Sequence, residues 1–295
     1  ADLGHRHLDV AGAASSTAGL MLLVYALTRA TTDGWSAPVT LGLLGGSVAL
    51  LGTFLAVELR SPWPLLPLRI FRSRTLSVAN ATMAIVGAVA FSEFFILTLY
   101  LQNVLHYSAV QTGVAFVGFA GTVVVVSNVA QWIVGRIGIR SALAAGLLLS
   151  TVSVALLTGL PVHGQYFWDL FPAFVLGGAG MGLSFVPVTI ASLAGVERSD
   201  AGVASGLVNT SRQIGGAIGL AAMSAIAASS TSSFASGHPA AGAVSGLALD
   251  HGFRTAIWTM AGVLLFATLL VSALLAPQRK EPQPVEEHFV LEEAA

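Results

Sequence analysis

Inside the long apolar stretches of this chain lie two ionisable groups that could do chemistry, Glu93 and Arg212. Glu93 stands eight residues before Leu101, so at about 1.5 Å per helical residue it sits about 12 Å from the end of its stretch. A carboxyl group at that depth can take and release a proton as solvent access changes, which is the chemistry proton-coupled export needs. The plainer reading is a neutral acid hydrogen-bonded to a neighbour, or one in a shallow wet vestibule. Arg212 belongs to a polar run from Asp200 to Gly216, in which Asp200 is placed to cap a helix start. At about 100° per residue, Ser205, Asn209, Arg212, Gly216 and Gly219 share one face, with Gln213 at its edge, so this face is expected to turn inward. A cation at the bilayer centre costs about 2.5 to 3.5 kcal/mol, which argues against an unpaired Arg212 facing lipid. Counting about 20 residues back from Ala228 puts Arg212 roughly one turn inside a membrane boundary. There it could anchor the helix by snorkelling or line a gate or cavity. Asn80, Asn128, Asn209, Arg212 and Gln213 are the cavity or gating candidates, and Glu93 is the proton-coupling candidate.

The elements that must position these groups are eight apolar spans: Val10 to Thr28, Val39 to Val57, Val78 to Leu101, Val114 to Val134, Ser141 to Leu160, Phe167 to Ile190, Gly202 to Ala228 and Thr255 to Ala276. A hydrocarbon core of about 30 Å needs about 20 helical residues, and every span reaches or approaches that length. The expected fold is an all-α membrane protein, a polytopic helical bundle of eight transmembrane helices. Composition agrees, with 55 % hydrophobic and 9 % charged residues and a mean hydropathy of +0.82. So few charges cannot cover a water-soluble surface, and the apolar excess must face lipid.

Basic residues orient the spans. Of the 13 Lys and Arg, ten fall on the side of the N-terminus, including Arg60, Arg69, Arg72, Arg74, Arg136 and Arg140, and two, Arg29 and Arg254, on the other. Short basic loops are retained in the cytoplasm, so both termini of the chain are expected there, in the plasma membrane. No signal peptide is visible, and entry at a polar stretch suggests that earlier spans precede these.

Other chemistries find no footing. A net charge of -1 and the lack of a basic patch argue against nucleic acid, and the absence of cysteine removes thiol and disulfide chemistry. His5, His7, His106, His163, His238, His251 and His288 all lie in connections or termini by this reading, without paired-ligand spacing, so no metal, cofactor or catalytic set is expected. Ser205 lacks a general base, and the run Gly177 to Gly182 follows no strand as a phosphate loop would. Glycine pairs at four-residue spacing, Gly42 and Gly46, Gly178 and Gly182, Gly202 and Gly206, Gly215 and Gly219, predict close helix approach. Pro172 and Pro187 are expected to bend the sixth span. The connection from Ser229 to Gly252, rich in Ser, Ala and Gly, reads as a flexible outer loop.

Ser205 to Ala217, reading SGLVNTSRQIGGA, resembles the penultimate helix of the fourteen-span drug:proton antiporters of the major facilitator superfamily, the EmrB/QacA type. Glu58 to Arg60 with Pro64 to Arg72, Tyr100 to Gln102, and Gly180 to Thr189 are similar to the same family, so the likeness runs from Asp9 to about Ala276. It implies two central helices and an Arg/Pro-rich linker over residues 1–77, a six-helix C-terminal half over 78–276, and an acidic cytoplasmic tail over 277–295. It further implies a missing N-terminal six-helix half as partner, with lipid, protons and a small-molecule substrate. The activity implied is proton-coupled multidrug or amphipathic-compound efflux by alternating access. A facilitator of another solute, or a non-transporting membrane scaffold or sensor, stays open beside it. Three positions depart from the family: Gly135 where aspartate is common, His106 where glycine is usual, and Gly118 where proline is common.

Overall fold

A computed structural model describes residues 9–61, 64–160, 164–194, 196–237 and 246–275. The acidic tail, His5, His7, His163, His238 and His288 lie outside them. Among the described residues all regular structure is helical. The chain forms α1 (Val10–Asp33), α2 (Pro38–Arg60), α3 (Arg74–Leu99), a short α4 (Ala109–Ala115), α5 (Val117–Leu157), α6 (Phe171–Leu193), α7 (Ala201–Gly237) and α8 (Gly246–Leu274). All but α4 are long and apolar enough to cross a bilayer, which makes seven such helices among the described residues rather than eight.

The difference lies in α5. The expected fourth and fifth spans run together as one helix of 41 residues, interrupted at Gly138, where φ is 82° and ψ 162°. That backbone conformation suits glycine alone, and it reverses the chain. The direction of each half can be read along α6. A Cβ placed on Gly178 would lie 2.6 Å from the Phe119 carbonyl, and one on Gly182 would lie 3.0 Å from that of Val123, so this half runs parallel to α6. Cβ atoms on Gly177 and Gly180 would meet Ser153 and Ser150, and one on Gly146 would meet Ser184, so the second half runs antiparallel. Two helices therefore sandwich the glycine face of α6. Ser153 completes the contact by donating to the Ala173 carbonyl at 2.7 Å.

Helix starts follow local chemistry. Asp9 accepts from the Gly12 amide at 2.8 Å and Ser73 from that of Leu76 at 3.3 Å, and Ser108 with Gln111 forms a reciprocal capping box. Pro172 sits in the first turn of α6, where its missing N–H needs no partner, so only Pro187 interrupts the helix interior. After α2 the chain is folded back by Glu58, which is 4 % exposed and accepts from the Leu66 amide at 3.1 Å.

Two further expectations change. The outer connection shortens, because α7 continues to Gly237 and α8 begins at Gly246; His251 consequently lies within α8, its ring stacked on Phe234 at 4.8 Å. Gly42, Gly202 and Gly206 have nothing within 4 Å of an added Cβ, so these are not close-approach points. The apolar core gathers between α3, α5, α6 and α8 around Phe174, Leu143, Leu147, Met260 and Leu264. Val39, Leu41, Val48, Leu55 and Leu59 of α2 point outward, as suits a lipid-facing wall.

Candidate functional site

The polar residues of α7 are set by its register on α3. Ser211 donates to the Asn80 Oδ1 at 2.9 Å, and Cβ atoms on Gly215 and Gly219 would collide with Ala84 and Ala88. Each pair differs by 131 positions, so the two helices run parallel and in contact for more than two turns. In lipid, where apolar side chains gain little by meeting each other, such backbone contact and a crossing hydrogen bond are what hold helices together. Asn80 is buried, and its amide also donates to the Leu76 carbonyl at 2.9 Å. Asn80 thus clamps the two helices together.

A Cβ on Gly87 would collide with the Arg212 carbonyl, which puts Arg212 level with the fourteenth of the 26 residues of α3. Arg212 is the twelfth residue of α7, which continues nine residues past Ala228 to Gly237, and it stands at mid-height of α3. Its Nη2 donates to the Asn209 Oδ1 at 3.1 Å, and its guanidinium carbon lies 5.9 Å from the Phe91 ring centre and 5.8 Å from that of Phe185. Its Nε is buried with no hydrogen-bond partner.

The expected inward face of α7 is thus divided. Gly216 and Gly219 are buried and Arg212 is half-buried, whereas Ser205, Asn209 and Gln213 are exposed. Asn128 is exposed on α5 and donates to its own Val124 carbonyl at 2.7 Å, apart from this group. Glu93, half-buried, lies about 180° around α3 from Ala84 and so on the face away from α7. Among the described residues it has no hydrogen bond or ion pair. The next residue, Phe94, packs on Phe116 and Phe119 at 4.8 and 5.1 Å, in an aromatic cluster that reaches Phe174. The structure unites Asn209 with Arg212, and Asn80 with Ser211, but not Glu93 with Arg212.

Beside this group an apolar groove of about 440 Å³ opens between α1 and the α3–α7 pair, lined by Val24, Leu27, Phe91, Phe95, Leu220 and Ala221 among others. Phe91 belongs to both the groove and the arginine cradle. Toward the basic linker, Arg69 joins Asp200 at 3.0 Å and Glu197 at 3.9 Å. The Asp200 carboxylate is therefore spent on Arg69, and the first-turn amides of α7 go without that expected cap. Phe91, Phe185 and the Arg69 clasp carry no local signal, since each depends on a contact between segments over a hundred residues apart or on separate helices; the polar periodicity of α7 was the only pointer.

Long apolar helices joined through small residues, with a polar group at mid-height, define a multi-pass helical membrane protein. Comparison with known proteins narrows the class. The profile of the Major Facilitator Superfamily matches residues 10–220. The chain belongs to the Major Facilitator Superfamily. It is 34 % identical over 271 residues to the puromycin resistance protein pur8 of Streptomyces alboniger, covering 91 % of this chain and 54 % of that one. It is 38 % identical over 232 residues to the cephamycin export protein CmcT of Amycolatopsis lactamdurans, covering 78 % and 48 %. With the lincomycin resistance protein of Streptomyces lincolnensis it shares 29 % identity over 280 residues, 95 % of this chain and 55 % of the relative. The chain spans about half the length of these relatives.

Proposed function

We propose that the chain is part of a proton-coupled secondary active transporter, not an enzyme, exporting small amphipathic compounds by alternating access. Its likeness over most of its length to proteins named for antibiotic resistance and export carries this reading. The apolar groove that shares Phe91 with the Arg212 cradle supports it, since an amphipathic solute needs an apolar wall with a few polar contacts, here Thr28 and Ser224. Glu93 is the proton-coupling residue, an acid inside a span with no fixed partner among the described residues that would hold it in one protonation state.

The chain is the C-terminal part of the fourteen-span type. Reversal at Gly138 turns seven long helices into eight crossings, so α1 and α2 are the two central helices and the remaining six crossings form the C-terminal half. Eight crossings are even in number, and with the excess of Arg and Lys on the side of the N-terminus this supports both ends of the chain lying with the basic linker in the cytoplasm. The other half of the relatives' length supplies the partner six-helix half that closes the cavity.

Cells producing the full gene product are expected to accumulate less of a cationic dye such as ethidium than control cells, with the difference erased by a protonophore. Equal accumulation in producing and control cells, for several amphipathic dyes, refutes the efflux reading.

A further inference from the structure

We infer that Arg212 is the receptor for a carboxylate that enters the bundle at its mid-height, an assignment that rests on the transporter reading of this site. The structure leaves the cation incompletely satisfied. Nη2 reaches Asn209, while Nε is buried and unpartnered. The ion pairs among the described residues are Arg29 with Asp33 and Arg69 with Asp200 and Glu197, so none neutralises Arg212. The intramembrane acid Glu93 faces away from α7. Phe91 and Phe185 stand at 5.9 and 5.8 Å, close to the limit of about 6 Å for a cation–π attraction, and offset only part of the burial.

The donors left over fix the class of ligand. Nε–H and the second hydrogen of Nη2 point the same way, and this fork matches the two oxygens of a carboxylate. A carboxylate also brings the negative charge that a buried guanidinium lacks. Asn209 anchors the guanidinium by accepting from Nη2, and it is exposed, as is Gln213. Phe91 and Phe185 border the guanidinium, so a ligand that reaches the buried Nε has to displace one of these rings. The carboxylate belongs either to an amphipathic anion from solution or to an acidic side chain of a segment outside this chain.

The full gene product in liposomes distinguishes these sources. A dansylated fatty acid, read by its emission, is expected to bind Arg212→Gln at least about tenfold more weakly than the parent, with Arg212→Lys between them and its methyl ester binding all three alike. That outcome supports a carboxylate from solution. Weak binding to all three, with the flux of Arg212→Glu restored by a second-site exchange of an acid for Arg, supports an acid of the protein itself. Fatty-acid binding indifferent to Arg212, together with dye flux unchanged in both Arg212→Gln and Arg212→Glu, overturns the receptor while leaving the transporter reading intact. Absence of dye flux in the parent counts against the transporter reading alone, and the binding arm still decides the receptor.

Discussion

Arg212 and Glu93 stand on opposite sides of the α3 axis, and they are separable by substitution. Glu93→Gln keeps the shape and removes the proton site, so the variant is expected to fold and bind dye yet lose proton-driven flux, as measured in proteoliposomes with an imposed pH gradient. Retention of full coupling would remove Glu93 from the mechanism. Ser211→Ala leaves the Asn80 carbonyl without its cross-helix donor and is expected to cost about 1 kcal/mol, read as a lowered melting point in detergent. His106 shows how a departure from the family pattern becomes physical: its φ of 55° lies in the left-handed region, where the family's usual glycine is at ease. His106→Gly is expected to stabilise by up to about 1 kcal/mol, with a lower melting point counting against the strain. The residue types were legible in the sequence because charge in an apolar span is rare. Their partners were not, since pairing Arg212 with Phe91 requires the register between two distant helices.

Among the elements, α3 with α7 and α6 with α5 are held by glycines that touch backbone. The spacing of Gly178 with Gly182 and of Gly215 with Gly219 announced these seams, whereas Gly42, Gly202 and Gly206 have the same spacing and no neighbour. A four-residue repeat reports what a helix face permits, and only the partner decides whether it is used. Gly215→Leu is accordingly expected to destroy folding, measured as loss of monodisperse protein after extraction, because its side chain would enter the Ala84 backbone. Gly206→Leu in the same helix is expected to leave folding unchanged. The reverse outcome for the pair would refute the α3–α7 register. The fourth and fifth spans and the basic turn between them at Arg136 and Arg140 were readable; that the chain reverses on the single residue Gly138, with helix on both sides, was not. The start of the outer connection was misjudged because α7 continues through Ser229 to Gly237, a polar run that hydropathy assigns to a loop.

For the whole molecule, the one-sided arginines and the apolar spans made a membrane bundle legible from composition alone, and family membership agrees with it. Three features meet in the bundle: an apolar groove, a cation at mid-height of α3 that shares Phe91 with it, and an acid on the far face of α3. Together they are the features on which the proposed exchange of an amphipathic solute for protons rests. The direct measurement is the simultaneous recording of dye movement and lumen pH in proteoliposomes holding the full gene product. Uphill dye movement with an opposite flow of protons, both abolished by a protonophore, is the expected result. Dye movement that proceeds down its own gradient with no change in lumen pH would contradict it.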